Sequence, residues 1–301
     1  MSFWQLLHEP FVHSALLAGA VVGIVSGAIG LFVVIRGMSF AVHAVSELGF
    51  TGAAAALVLG VDPIAGLLIG SLAVGVILGL LTVRGRERDA AIGSFLAFGL
   101  GIGVLLIFLY HGYATQATSL LFGSIVGVSH RQLVVLAIVA ALVLVCLAVA
   151  YRPLLFASVD AEGAEARGVS LRLVSVALLL LVALTTAEAI QVVGVLLVLT
   201  LVITPAAAAT RLTARPGVAL ILSVGIATAA TEGGILLSLA KPYPTSFFIS
   251  ALSFLAYLIS RAIGAWRNVR TSRTLDSAAV PAEEPRGPAE RAVAPGRGAR
   301  S

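Results

Sequence analysis

The feature that most constrains this chain is the recurrence of apolar runs near 20 residues long, separated by short connections in which the charges collect. A run of that length crosses a hydrocarbon core roughly 30 Å thick as a helix, and every backbone polar group in such a segment must be satisfied internally. The runs fall at 11–35, 39–59, 63–83, 91–110, 132–151, 173–187, 190–209, 217–240 and 245–263. The expectation is an all-α, polytopic transmembrane helix bundle of about nine spans. Composition agrees: 59% hydrophobic and 11% charged residues leave too little polar surface to coat a soluble domain of 301 residues. Leu173 to Thr210 is one apolar stretch of 38 residues, about twice what one crossing needs, and Glu188 with Gln191 interrupts it, so the reading divides it there. Residues 118–128 are apolar but too short to cross and suit a re-entrant or interfacial segment.

Charge orients the bundle. Arg36, the group Arg84, Arg86 and Arg88, the group Arg152, Arg167 and Arg172, then Arg211 and Arg215, and finally Arg261, Arg267, Arg270 and Arg273 occupy alternate connections and the C-terminal end. The remaining connections hold only Arg131 and Lys241 as cations. By the positive-inside rule the arginine-rich set is cytoplasmic, with the N-terminus outside and the C-terminus inside. The pI near 10.0 therefore reports topology and asks for no nucleic-acid partner. Residues 1–263 form the transmembrane domain. Residues 264–301 begin with Trp266 and three arginines as an interfacial anchor and continue as a tail of Ala, Pro, Gly and mixed charge with almost nothing to bury.

Two titratable side chains inside an apolar run mark the candidate site. His43 and Glu47 are four residues apart, one turn on the same helix face, so an imidazole nitrogen and a carboxylate oxygen can address one ion. An ionisable group at bilayer depth costs about 2.5–3.5 kcal/mol on insertion scales, so such residues face a cavity or a partner. The pair reads as an ion pathway in preference to a mutual structural bond. Glu188 and Glu232 are further pathway candidates; Glu188 also reads as a solvated or capping carboxylate at an outer turn. Glycines four apart (Gly19, Gly23 and Gly27; Gly66 and Gly70; Gly75 and Gly79; Gly99 and Gly103) supply grooves for close helix contacts.

Several chemistries are absent. No Gly-x-x-x-x-Gly-Lys-[Ser/Thr] exists, and the sole lysine, Lys241, follows Ala240, so any ATP drive comes from another chain. There is no His-Glu-x-x-His, and Cys146 has no partner for a disulfide. The chain therefore reads as a transport subunit that is not itself an enzyme and holds no cofactor. The polar connection from Arg152 to Arg172 can carry a short helix across the inner face, with Asp160 as N-cap and Gly168 as terminator.

Five blocks in order resemble the ABC-3 class of permeases, the membrane subunits of bacterial zinc, manganese and iron importers. They are Arg36-Gly-Met-Ser-Phe40, Asp89-Ala-Ala-Ile-Gly93, Leu121-Phe-Gly-Ser124, the Asp160–Gly168 segment, and Val192 to Thr210 with Thr204-Pro205. The resemblance covers about residues 10–263. It implies a homodimeric permease in the bacterial cell membrane, bound to cytoplasmic ATP-binding subunits and fed by an extracytoplasmic metal-binding protein. It further implies that 156–169 is the coupling helix, with Asp160, Glu162, Glu165, Arg167 and Gly168 on the ATPase side. The family commonly carries a carboxylate followed four residues later by a histidine in its second span; here His43 and Glu47 hold those positions in exchanged order. The cargo is a divalent transition metal, with zinc favoured over manganese because one donor is nitrogen. The alternative is a proton- or sodium-coupled secondary transporter using Glu47, Glu188 and Glu232.

Overall fold

A computed structural model describes residues 9–80, 86–110, 122–123, 129–195, 197–240 and 243–278, with side chains described outside 86–89 and 267–278. Every regular element among them is helical. In chain order these are α1 (Pro10–Ile35), α2 (Ser39–Val58), α3 (Pro63–Leu80), α4 (Arg86–Leu109), α5 (His130–Val159), α6 (Ala161–Ala166), α7 (Leu171–Val193), α8 (Val198–Leu212), α9 (Pro216–Ala240) and α10 (Thr245–Ala278). Eight of them are long and apolar enough to cross a membrane, and α8 is a shorter apolar helix. At 1.5 Å per residue α8 rises roughly 22 Å, less than a full hydrocarbon core.

Local chemistry sets the ends. Pro10 opens α1, where its missing N–H costs nothing. Ser129 and Gln132 form a capping box at the start of α5, and Ser170 caps α7 by accepting from Leu173 N. The division of the long 173–210 stretch falls at Gly194, not at Glu188. Gly194 has φ +85°, a conformation that ends α7 and that side chains disfavour. Glu188 is an ordinary helix former and interrupts nothing. The predicted span boundary at 187–190 is thus moved to 194–197. Apart from Phe122 and Gly123, the predicted re-entrant segment lies outside the described residues. Gly123 approaches the backbone of Val192 to Gly194, which a side chain there would obstruct.

The described residues fall into two compact units divided between Arg261 and Ala262. Within the first, α1 and α7 are central. The most apolar windows of α1, α2 and α7 are 72%, 61% and 61% buried, against 17% for α4, which leaves α4 as an outer helix. Helix α1 packs on α9, α8, α5 and α7, while α7 packs on α3, α5, α1 and α2. Small residues allow this closeness. A Cβ on Gly23 would stand 2.7 Å from Thr228 Cα and one on Gly27 2.6 Å from Val224 Cα, so α1 and α9 meet backbone to backbone. Gly52 and Gly70 do the same for α2 and α3, and Gly75 and Gly79 for α3 and α7. Ser223 Oγ adds a buried hydrogen bond to Gly27 O at 2.6 Å.

Candidate metal pathway and coupling helix

Helix α2 starts immediately after Arg36-Gly37-Met38, and Arg36 Nη2 donates to Ser175 Oγ at 3.0 Å on α7. This holds the beginning of α2 beside the start of the central helix. One turn in, His43 and Glu47 project from the same face, as their spacing predicts. His43 Nε2 lies 3.2 Å from Glu47 Oε1, with the imidazole 33% exposed and the carboxylate 16% exposed. The second carboxylate oxygen, Oε2, is buried without a hydrogen-bond partner among the described residues. Behind the pair, Thr51 Oγ1 donates to Gly99 O at 2.9 Å and fixes α2 against α4.

His43 opens onto a groove of about 370 Å³ between α2 and α8. Ser39, Phe40 and His43 form one wall; Leu199, Thr200, Ile203 and Thr204 form the other. The Phe40 ring stands 6.3 Å from the imidazole, tilted by 46° to it. Thr200 and Thr204 escaped the sequence reading, although their i,i+4 spacing on a short helix is the same signal that exposed His43 and Glu47. No group of three or more His, Cys, Asp or Glu side chains capable of holding a metal occurs among the described residues. One chain brings together two donors, and a closed tetrahedral zinc site needs four.

Glu188 and Glu232 are not part of this groove. Glu188 lies inside α7, 2% exposed, with neither carboxylate oxygen hydrogen-bonded among the described residues. It is neither a solvated turn residue nor a cap, because α7 continues past it to Val193. Glu232 lies in α9 with its Oε1 buried against Gly19 of α1 and without a hydrogen-bond partner among the described residues.

The inner connection is more compact than predicted. Residues 156–159 complete α5, and the short helix α6 covers only Ala161–Ala166. Asp160 Oδ1 accepts from Gly163 N at 2.9 Å, and Gly168, at φ +82°, turns the chain towards α7. Ala164 is fully buried where α6 meets α5 and α7, while Glu162, Glu165 and Arg167 are exposed. The Arg167 guanidinium lies over the Phe156 ring at 5.1 Å, a cation–π contact that fastens α6 to the end of α5.

Residues 8–264 match the family model of the ABC 3 transport family. The chain belongs to this family. The permease is 31% identical over 277 residues to the "Manganese transport system membrane protein MntC" of Halalkalibacterium halodurans, covering 89% of this chain and 95% of the relative. It is 29% identical to the "Manganese import system permease protein ScaB" of Streptococcus gordonii, over 86% of this chain and 93% of that one. Among solved structures it is similar to "PsaBC from Streptococcus pneumoniae in complex with Fab", with a TM-score of 0.78 at 28% identity over 86% of this chain and 94% of that one. A second structure, "An inward-facing conformation of a putative metal-chelate type ABC transporter", has a TM-score of 0.65 at 16% identity over 84% and 85% of the two chains, a likeness of fold. The permease is thus a multi-pass bacterial membrane protein and the transport subunit of an ABC system, with ATP hydrolysis on a separate chain.

Proposed function

We propose that the permease carries a divalent transition metal ion into the cell by alternating access, using His43 and Glu47 as the ligands this chain contributes. The observation that carries the reading is the 3.2 Å contact between Nε2 of His43, which lines the groove, and Oε1 of Glu47 one turn further along α2, with Glu47 Oε2 buried and unpaired among the described residues. A buried carboxylate oxygen without a donor is the group most favoured by an arriving cation. Two donors leave the coordination incomplete. A second copy of the permease, related by a two-fold axis, doubles the set to two imidazoles and two carboxylates.

The names of the relatives support manganese as cargo. Zinc is the second reading, favoured by the imidazole donor, since manganese prefers oxygen ligands. Cytoplasmic ATP-binding subunits dock on α6 and its flanks, with Asp160 and Gly168 shaping the helix and Glu162, Glu165 and Arg167 facing the partner. An extracytoplasmic metal-binding protein delivers the ion to the opposite face. Uptake of radioactive manganese and zinc by cells carrying His43→Ala or Glu47→Ala tests the reading: both variants assemble with the ATPase and lose uptake. Wild-type uptake in both would reduce the pair to a structural contact.

A further inference from the structure

A second polar feature lies away from the α2–α8 groove. A cavity of about 370 Å³ opens at the end of the bundle opposite the arginine-rich connections, between the start of α3, the start of α5 and the end of α7. Asp62, Ser129, Arg131 and Gln132 stand around it, and Gln191 of α7 lines it from below. Glu188 is one turn further into the membrane on the same helix, and Thr185 one turn beyond that, so Glu188 is the i,i+3 neighbour of both Gln191 and Thr185. Glu188 is 2% exposed, and neither its two oxygens nor Thr185 Oγ1 has a hydrogen-bond partner among the described residues. The carboxylate faces the backbone of Ala140 on α5, yet no donor there meets either oxygen at hydrogen-bonding geometry.

From this arrangement we propose that Glu188 is the anionic ligand of a buried monovalent cation site, Na⁺ or H⁺, entered from the outer cavity past Gln191. An isolated carboxylate in an apolar interior is prohibitively costly unless its charge is cancelled or paired. Among the described residues, the elements packed against α7 bring no cation to its depth. The charged or titratable side chains that they present at this end are Glu9 and His13 by the start of α1, Asp62 before α3, and His130 and Arg131 at the start of α5. One negative charge is cancelled by one positive charge, whereas a divalent ion would leave the same burial problem with the sign reversed. Thr185 Oγ1 and the Gln191 amide oxygen are neutral ligands three residues to either side of Glu188, and the Gln191 amide nitrogen is taken up by Ala187 O at 3.3 Å, which leaves the amide oxygen for a cation; at the cavity mouth Asp62 is accompanied by Arg131. The site is separate from His43 and Glu47 and does not depend on their role in metal transport.

The test is thermal unfolding of the full-length permease purified in detergent, with sodium chloride exchanged for choline chloride at constant ionic strength, and separately with pH lowered in choline chloride alone. Wild type is stabilised by sodium, by protons, or by both, and the responding arm identifies the cation. Glu188→Gln weakens that response at least about tenfold in apparent affinity, because the charge that binds the cation is gone. His43→Ala retains the response, which separates this site from the metal pathway. If Glu188→Gln fails to fold, Thr185→Val and Gln191→Leu provide the test, since each keeps the carboxylate and removes a neutral donor; each weakens the response. A wild-type response in Glu188→Gln, an unchanged response in both donor variants, or no response of wild type to either cation overturns the proposal.

Discussion

His43 Nε2 and Glu47 Oε1 stand 3.2 Å apart on one face of α2, while the other oxygen of Glu47 is buried without a hydrogen-bond partner among the described residues. The contact leaves the pair half used. His43 borders the groove, and Glu47 keeps one oxygen without a hydrogen-bond partner among the described residues. Metal binding by such a pair is proton-linked, because neutral imidazole and ionised carboxylate are the coordinating forms. His43→Asp converts the set to oxygen ligands only and should shift preference from zinc towards manganese. Competition between the two ions for uptake by the assembled variant measures this; an unchanged ratio would show that His43 does not select the ion.

The contact between α1 and α9 should tolerate nothing larger than glycine at its crossing point. Gly23→Leu forces a side chain into the Thr228 backbone, where even a Cβ would stand 2.7 Å from Cα. Overpacking of this kind costs about 1–3 kcal/mol, and more where backbone must move. Thermal unfolding in detergent should fall by several degrees relative to Gly101→Ala, because Gly101 has nothing within 4 Å of its Cβ position. Equal stability of the two variants would contradict the packing.

Orientation follows from the arginines and is open to direct labelling. In a Cys146→Ala background, Glu162→Cys on α6 should be shielded from membrane-impermeant thiol reagents in intact cells, whereas His130→Cys at the start of α5 should react. Both positions are exposed, so access to the reagent depends on the side of the membrane. Labelling of Glu162→Cys from outside would invert the topology and remove α6 from the ATPase.

Coupling through α6 should depend on its cap and on its fastening to α5. Asp160→Ala removes the acceptor for Gly163 N, at about 1 kcal/mol of local stability. Arg167→Lys keeps the charge but loses the flat face that covers Phe156. Both should lower transport per ATP hydrolysed by the assembled complex while leaving its basal hydrolysis in place. Full coupling in both variants would show that α6 is not the lever.

Much of this was legible in the sequence. Length and apolarity give nearly every helix, and the arginine pattern gives an orientation, because the bilayer imposes the same rule on every span. The i,i+4 spacing brings His43 to Glu47 without any tertiary knowledge. Glu188 misled because a charge in an apolar run resembles a boundary. The actual break is at Gly194, whose positive φ is a backbone property that hydropathy does not report. Thr200 and Thr204 were missed because threonine in a span usually bonds to its own helix, and only the approach of α8 to α2 gives them a groove to line. The exchanged order of histidine and carboxylate is plain in the chain, but among the described residues one chain brings together only two of the donors an ion needs, and the sequence does not name the others.

The most direct measurement reconstitutes the permease with its ATP-binding subunits and metal-binding protein in liposomes and follows manganese entry with and without ATP. Entry should require ATP and all partners, and should disappear in Glu47→Ala while ATPase subunits remain bound. ATP-independent entry through the permease alone, or undiminished ATP-driven entry in the Glu47→Ala and His43→Ala complexes, would contradict the account.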